Sequence, residues 1–206
     1  IIGPMSQLLL RRATEAARDW PGHLFLSFNL SPSQLVDQNT GLHILAILDR
    51  TGFDPRRLEI EITETGLMSE PASAEKVVQD LRRCGIRVSL DDFGTGQSSL
   101  GRLREFQFDK LKIDRTFVAS LLDDRPAQHI IRAILAMCEG LGVDVVAEGI
   151  ENEAQADKLI QFGCAGGQGF LLGRPIDAEA TIGYLRNSVR GTYLARPARD
   201  RHLLDA

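Results

Sequence analysis

Cysteine is scarce and unpatterned in this sequence. Three occur among 206 residues, Cys84, Cys138 and Cys164, with no Cys-x-x-Cys pair. An odd, scattered set supplies neither a disulfide framework nor a zinc site, and reads as buried thiols in a reducing cytoplasm. Histidine is equally sparse. None of His23, His43, His129 and His202 lies at the C-terminal end of a strand-like run, which argues against zinc or histidine-based chemistry. No apolar run reaches the ~20 residues that span a bilayer. The opening "IIGPMSQLLL" lacks the basic start and small-residue cleavage site of a signal peptide. Basic charge is not in excess either. The formal net charge is −4, so neither a DNA footprint nor a broad contact with anionic lipid is expected. The Arg-rich end, 186–206, reads as a solvated tail behind a domain at 1–185.

What is present suits one α/β domain with a substantial core, since 43% of the residues are hydrophobic and 25% charged. Strand-like runs alternate with amphipathic helical segments. The runs are "HLFLSFN" (23–29), "LEIEIT" (58–63), "IRVSLDD" (86–92), "DKLKID" (109–114), "VDVVAEG" (143–149) and "GGQGFLLG" (166–173). Asn152, followed three residues later by Gln155, predicts a capping box. Pro126 suits the first turn of a helix reaching Leu141. Gly52, Gly85, Gly142 and Gly163 each follow a helical pattern where a left-handed C-cap is wanted. Alternation of this kind implies parallel strands joined by right-handed crossovers. Either an open doubly wound sheet or a closed (β/α)8 barrel satisfies it.

The polar residues favour the barrel. Asn29, Glu61, Asp91, Lys112 and Glu148 fall at or near the C-terminal ends of runs, and Gln168 starts the last one. A barrel gathers strand C-termini on one face, whereas an open sheet spreads them along an edge. Eight strands normally take ~250 residues, and six are visible here, so the chain is expected to start inside the domain.

"RVSLDDFGTGQSSL" carries the main puzzle. Asp91 and Asp92 stand side by side where a buried strand emerges, and two like charges 4 Å apart repel by roughly 4 kcal/mol at an effective dielectric near 20. Together with Glu61, Glu148 and the Asn29 carboxamide they make an oxygen-only donor set. Mg²⁺ or Mn²⁺ suits it, and two such ions suit in-line phosphodiester hydrolysis. Lys112 then orients hydroxide or binds phosphate, and Gln168 positions water or substrate. Duller readings stand beside these. An Asp caps a helix starting near Ser98 or opens a turn. Asn29 serves a turn before "LSPSQ", Lys112 pairs with a nearby acid, and one of Glu59 and Glu61 faces inward or into a salt bridge. Asp92-Phe93-Gly94 also spells a kinase magnesium motif, but no matching catalytic loop accompanies it.

"FNLSPSQL", "LEIEITET", "SLDDFGTGQSSL", "DKLKID", "VVAEGIE" and "GGQGF…RP", in this order, closely resemble the EAL family of bacterial cyclic di-GMP phosphodiesterases. The resemblance covers roughly residues 1–185. It implies a (β/α)8 TIM-type barrel that uses Mg²⁺ or Mn²⁺ to hydrolyse cyclic di-GMP to linear pGpG in the cytoplasm. It implies Asn29, Glu61, Asp91 and Glu148 as metal ligands and Asp92 as ligand or base at a second metal. Lys112 matches the lysine near the catalytic water, and Gln168 the late glutamine. Glu64 matches a glutamate bracing the Asp-Asp-Phe-Gly loop, and Asp114 lies beside the site. A homodimer and fused sensor or GGDEF domains accompany the family. Two features depart from it. The namesake Glu-Ala-Leu segment, with its metal-binding glutamate and the first two strands, is expected ahead of Ile1. Gln97 stands where tyrosine is usual. Two functions follow: a working phosphodiesterase, or an inactive receptor or interaction module that binds cyclic di-GMP without turnover.

Overall fold

The computed structural model describes residues 2–94 and 106–188. Six strands form one parallel sheet in the order in which the chain makes them. They are β1 (Leu26–Leu30), β2 (Leu58–Thr63), β3 (Arg87–Phe93), β4 (Lys110–Ile113), β5 (Asp144–Ala147) and β6 (Gly166–Gly167). Between and before them lie α1 (Ile2–Ala17), α2 (Pro32–Leu35), α3 (Thr40–Thr51), α4 (Glu64–Ser69), α5 (Pro71–Arg83), α6 (Arg115–Ser120), α7 (Arg125–Leu141) and α8 (Glu153–Gln161). Each strand falls on a run predicted from sequence. The last is much shorter than its run. A Cβ on Gly169 would lie 2.1 Å from the Ile150 carbonyl oxygen, so the backbone packs directly on Ile150. The chain then turns, with Leu172 and Gly173 donating to the Gly169 carbonyl. The helix expected near Ser98, and Gln97, lie outside the described residues.

The strand order identifies the winding. A doubly wound sheet reverses its order at a switch point. This one runs β1 to β6 without reversal, so right-handed crossovers place every connecting helix on the same face. That is the winding of a (β/α) barrel, and it leaves the opposite face as an interior.

Side-chain alternation then sorts the strands. Leu58, Ile60, Ile62, Val88, Leu90 and Ile113 are fully buried, in a cluster with Leu48 of α3, Leu81 of α5, Ile131 of α7 and Leu159 of α8. Burying each such side chain contributes about 1.5–3 kcal/mol. Glu59 and Glu61 occupy the other face of β2. The sequence left open which of them turns inward. Both do, because residues two apart in a strand share a face. Glu59 pairs with Lys110 at 2.7 Å and Glu61 with Lys112 at 2.9 Å.

Polar residues at or beyond the strand ends start the next helices. The Thr63 hydroxyl accepts from the Gly66 amide at 3.2 Å, and the Asp114 carboxylate from the Thr116 amide at 2.8 Å. Asn152 forms the predicted box with Gln155, at 3.0 and 3.3 Å. Gly52 and Gly142 end α3 and α7 at φ of 65° and 68°, a conformation that penalises a Cβ. The chain divides into two compact units, Ile1–Arg174 and Pro175–Ala206. The second holds α9 (Ala178–Ser188), and Asp177 accepts from the Ala180 amide at 2.8 Å. No helix among the described residues is long and apolar enough to cross a membrane.

Candidate metal centre

The ends of β2, β3 and β5 converge on one ammonium group. Lys112, on β4 and only 5% exposed, places Nζ 2.6 Å from Glu148 Oε1, 2.9 Å from Glu61 Oε2 and 3.2 Å from Asp91 Oδ1. Burial opposes the charge on Lys112. The hydrogen bonds and charges of Glu148 and Glu61 outweigh it and hold the ammonium well above the ordinary lysine value. Burial pushes the Glu148 carboxyl up, and the Lys112 charge only partly offsets that.

The Asp91–Asp92 pair gains its geometry from a break in the strand. Neighbouring residues of a regular strand point to opposite faces, so an unbroken β3 would send the two carboxylates apart. The β3–β4 register shifts between Leu90 and Phe93, and Asp92 adopts φ 55°. A left-handed non-glycine residue costs of order 1–3 kcal/mol and persists where its surroundings enforce it. As a result Asp91, Asp92 and Glu148 each present a carboxylate oxygen within 4.8 Å of the other two. The Asp92 amide donates to Asp91 Oδ1 at 3.0 Å. Burial raises the Asp92 carboxyl first, and the Asp91 and Asp114 charges and a hydrogen bond with Asp114 raise it further.

Among the described residues, three carboxylates, Glu61, Asp91 and Glu148, thus lie around the Lys112 ammonium, and Asp92 joins two of them. The surplus negative charge and the all-oxygen donors fit a hard divalent cation, and no histidine or cysteine belongs to the Asp91–Asp92–Glu148 group. Glu64, 2% exposed in the first turn of α4, accepts from the Gly94 amide at 3.2 Å and so ties β2 to the turn after Asp92. Asn29 is exposed and in register with Glu61, at the same level of the sheet. Gln168 is exposed, and its backbone pairs with Ala147 and Ile150. The Lys110–Glu59 pair lies one layer below and was not singled out from sequence. Alternation in "LEIEIT" and "DKLKID" was the signal that could have found it. Cys138 and Cys164 are buried free thiols, and burial pushes the Cys138 thiol up to about 11. Neither has the depressed pKa of a reactive cysteine.

Comparison with known proteins places the fold. A family model described as EAL domain matches residues 1–175. The cyclic di-GMP phosphodiesterase RocR of Pseudomonas aeruginosa is 39% identical over 163 residues, which are 79% of this chain and 42% of RocR. The solved PaMucR phosphodiesterase, in complex with c-di-GMP, matches at TM-score 0.83 and 36% identity, over 87% of this chain and 74% of that one. BlrP1 of Klebsiella pneumoniae, in a manganese and cyclic di-GMP complex, matches at TM-score 0.78 and 33% identity, over 84% of this chain and 44% of that one. The chain spans 22–42% of the length of the first curated relatives that it matches. With the family model covering most of the residues, and the strand order and carboxylate cluster described above, the chain belongs to the EAL domain family.

Proposed function

We propose that this chain is a cyclic di-GMP phosphodiesterase that opens one phosphodiester of the ring to give linear pGpG. The observation that carries the reading is the convergence of Asp91, Asp92 and Glu148 around an oxygen-lined space beside Lys112. The names of its relatives supply the substrate class. Those three carboxylates, with Glu61 and Asn29, would hold Mg²⁺ or Mn²⁺. One or two such ions, when bound, would supply Lewis acidity and lower the pKa of water.

The protein residues do the rest. Lys112 keeps its proton, so it donates hydrogen bonds and fixes the three acids around it rather than acting as a base. Its charge also favours an anionic phosphodiester. Asp92 is a ligand or proton acceptor beside Asp91 and Glu148, and Gln168 positions water or substrate at the end of β6. Attack by water on phosphorus breaks one P–O bond of the ring. The released ribose hydroxyl takes up a proton, leaving a terminal phosphate on the linear product. Glu64 holds the turn that carries Asp92. As part of a longer protein, the module would work in the cytoplasm as a homodimer under fused sensor or GGDEF domains.

The test is incubation with cyclic di-GMP and Mn²⁺, followed by chromatography for pGpG. Product from the wild type and none from Asp91→Ala is the expected outcome. Tight binding of cyclic di-GMP with no product would favour a receptor module instead.

A further inference from the structure

The two turns that carry the carboxylates do not touch solvent on all sides. Both rest on the first turn of α6. At the end of β3, Gly94 has φ 102°, and a Cβ there would lie 2.7 Å from Cε2 and 3.0 Å from Cζ of Phe117. At the end of β5, Gly149 has φ 71°, and a Cβ there would lie 2.6 Å from Cβ of Arg115. Between these contacts the Asp114 side chain hydrogen-bonds with Asp92 while capping α6 through the Thr116 amide. Three of the first four residues from the cap onward therefore press on Asp92, Gly94 or Gly149. These flank or include all three members of the Asp91–Asp92–Glu148 group.

Its far side is fixed too. Val118 and Leu121 are fully buried, and the buried Gln155 of α8 donates from Nε2 to the Val118 carbonyl at 3.2 Å. A six-residue helix would fray alone. Here packing makes it a rigid block, and side chains in a close-packed interior transmit displacement rather than absorb it.

We infer that the first turn of α6 is a spacer that sets the distance between the Asp91–Asp92 turn and the Glu148 turn, with Phe117 as its positioning residue. The Phe117 ring backs the Gly94 backbone, whose amide donates to the Glu64 carboxylate, so the turn has both supports. Truncating the ring removes one of the supports of the Asp92 turn, beside those of Glu64 and Asp114, and the left-handed Asp92 loses part of what enforces it. The inference rests on the cation reading of the site for its consequence and on the contacts alone for its mechanics.

The test compares wild type, Phe117→Ala and Phe117→Leu. Hydrogen exchange of the 92–94 amides, in chelator and without metal, probes the mechanics. Binding of Mn²⁺ alone, followed by its electron paramagnetic resonance signal, probes the consequence. Phe117→Ala is expected to exchange at 92–94 at least tenfold faster and bind Mn²⁺ at least tenfold more weakly, with its helical circular dichroism retained. Phe117→Leu is expected to recover most of both. If turnover is measured, kcat falls and KM for cyclic di-GMP stays within twofold. Unchanged exchange at 92–94 in Phe117→Ala overturns the spacer, as does faster exchange spread evenly over the whole chain. If Phe117→Ala fails to fold, Phe117→Leu decides alone: a smaller loss of the same kind supports the inference, and wild-type exchange overturns it. A wild type that binds no Mn²⁺ would defeat the cation reading, and the exchange result would still judge the spacer.

Discussion

Replacing Lys112 by methionine removes the ammonium that pairs with Glu61, Asp91 and Glu148 while roughly preserving volume. The wild-type ammonium makes three ion pairs of 2.6–3.2 Å at a site that is 5% exposed, so solvent screens them little. Removing one partner of a buried pair typically costs about 3–5 kcal/mol, because the remaining charges stay buried without compensation. For a chain of this size each kcal/mol shifts Tm by about 2–4 °C. The metal-free variant should therefore melt about 6–20 °C lower. Added Mn²⁺ supplies the missing positive charge. In the wild type, Mn²⁺ at a hundred times its Kd contributes about 2.7 kcal/mol, and the upward shift should be larger in the variant because its carboxylates are less neutralised. Thermal melts in chelator and in Mn²⁺ measure both effects. A variant melting within 2 °C of wild type in chelator, or gaining no more from Mn²⁺ than wild type does, would refute the reasoning.

Three further outcomes follow from separate parts of the structure. Asn152→Ala removes the box that starts α8 and should lower Tm by about 2–4 °C, for a cap worth about 1 kcal/mol. Its Mn²⁺ affinity should be unchanged, as titration would show. Glu64→Ala takes the acceptor from the Gly94 amide. A hydrogen bond to a charged group is worth about 1.5–3 kcal/mol, so turnover should fall about tenfold or more in a pGpG assay, whereas wild-type rates would mean the brace is idle. Burial raises the Cys138 thiol from 9.0 to about 11. The folded chain then keeps a proton that the unfolded chain loses, so this contribution is intact below pH 9 and declines as pH rises towards 11. It amounts to at most about 2.7 kcal/mol. Cys138→Ala should flatten that part of the urea-measured stability profile, and an identical slope in the variant would contradict the assignment.

How much of this was legible in the sequence depended on the range of the signal. The six strands and the capping residues were readable because local patterns fix them: alternation in "LEIEIT", Asn152 before Gln155, glycine where a helix must end. The strand-end carboxylates were readable because a barrel maps sequence position onto a common face. Three features were not. That Asp91 and Asp92 share a cluster was expected, but the register shift and the left-handed Asp92 that bring them together were not, since no two-residue spacing predicts them. The inward pair Glu59–Lys110 joins residues on different strands, and the sequence offered only the choice between Glu59 and Glu61. The contacts of Phe117 with Gly94 and of Arg115 with Gly149 arise where β3, β5 and α6 meet. From sequence Phe117 was only an apolar residue in a helix, and nothing local tied it to a glycine 23 positions earlier.

The most direct test of the account is where manganese binds. In a crystal soaked in Mn²⁺ and measured at its absorption edge, an anomalous peak is expected within coordination distance of the Asp91, Asp92 and Glu148 carboxylates, lost in Asp91→Ala. Full occupancy elsewhere on the chain, with this cluster empty at millimolar Mn²⁺, would contradict it.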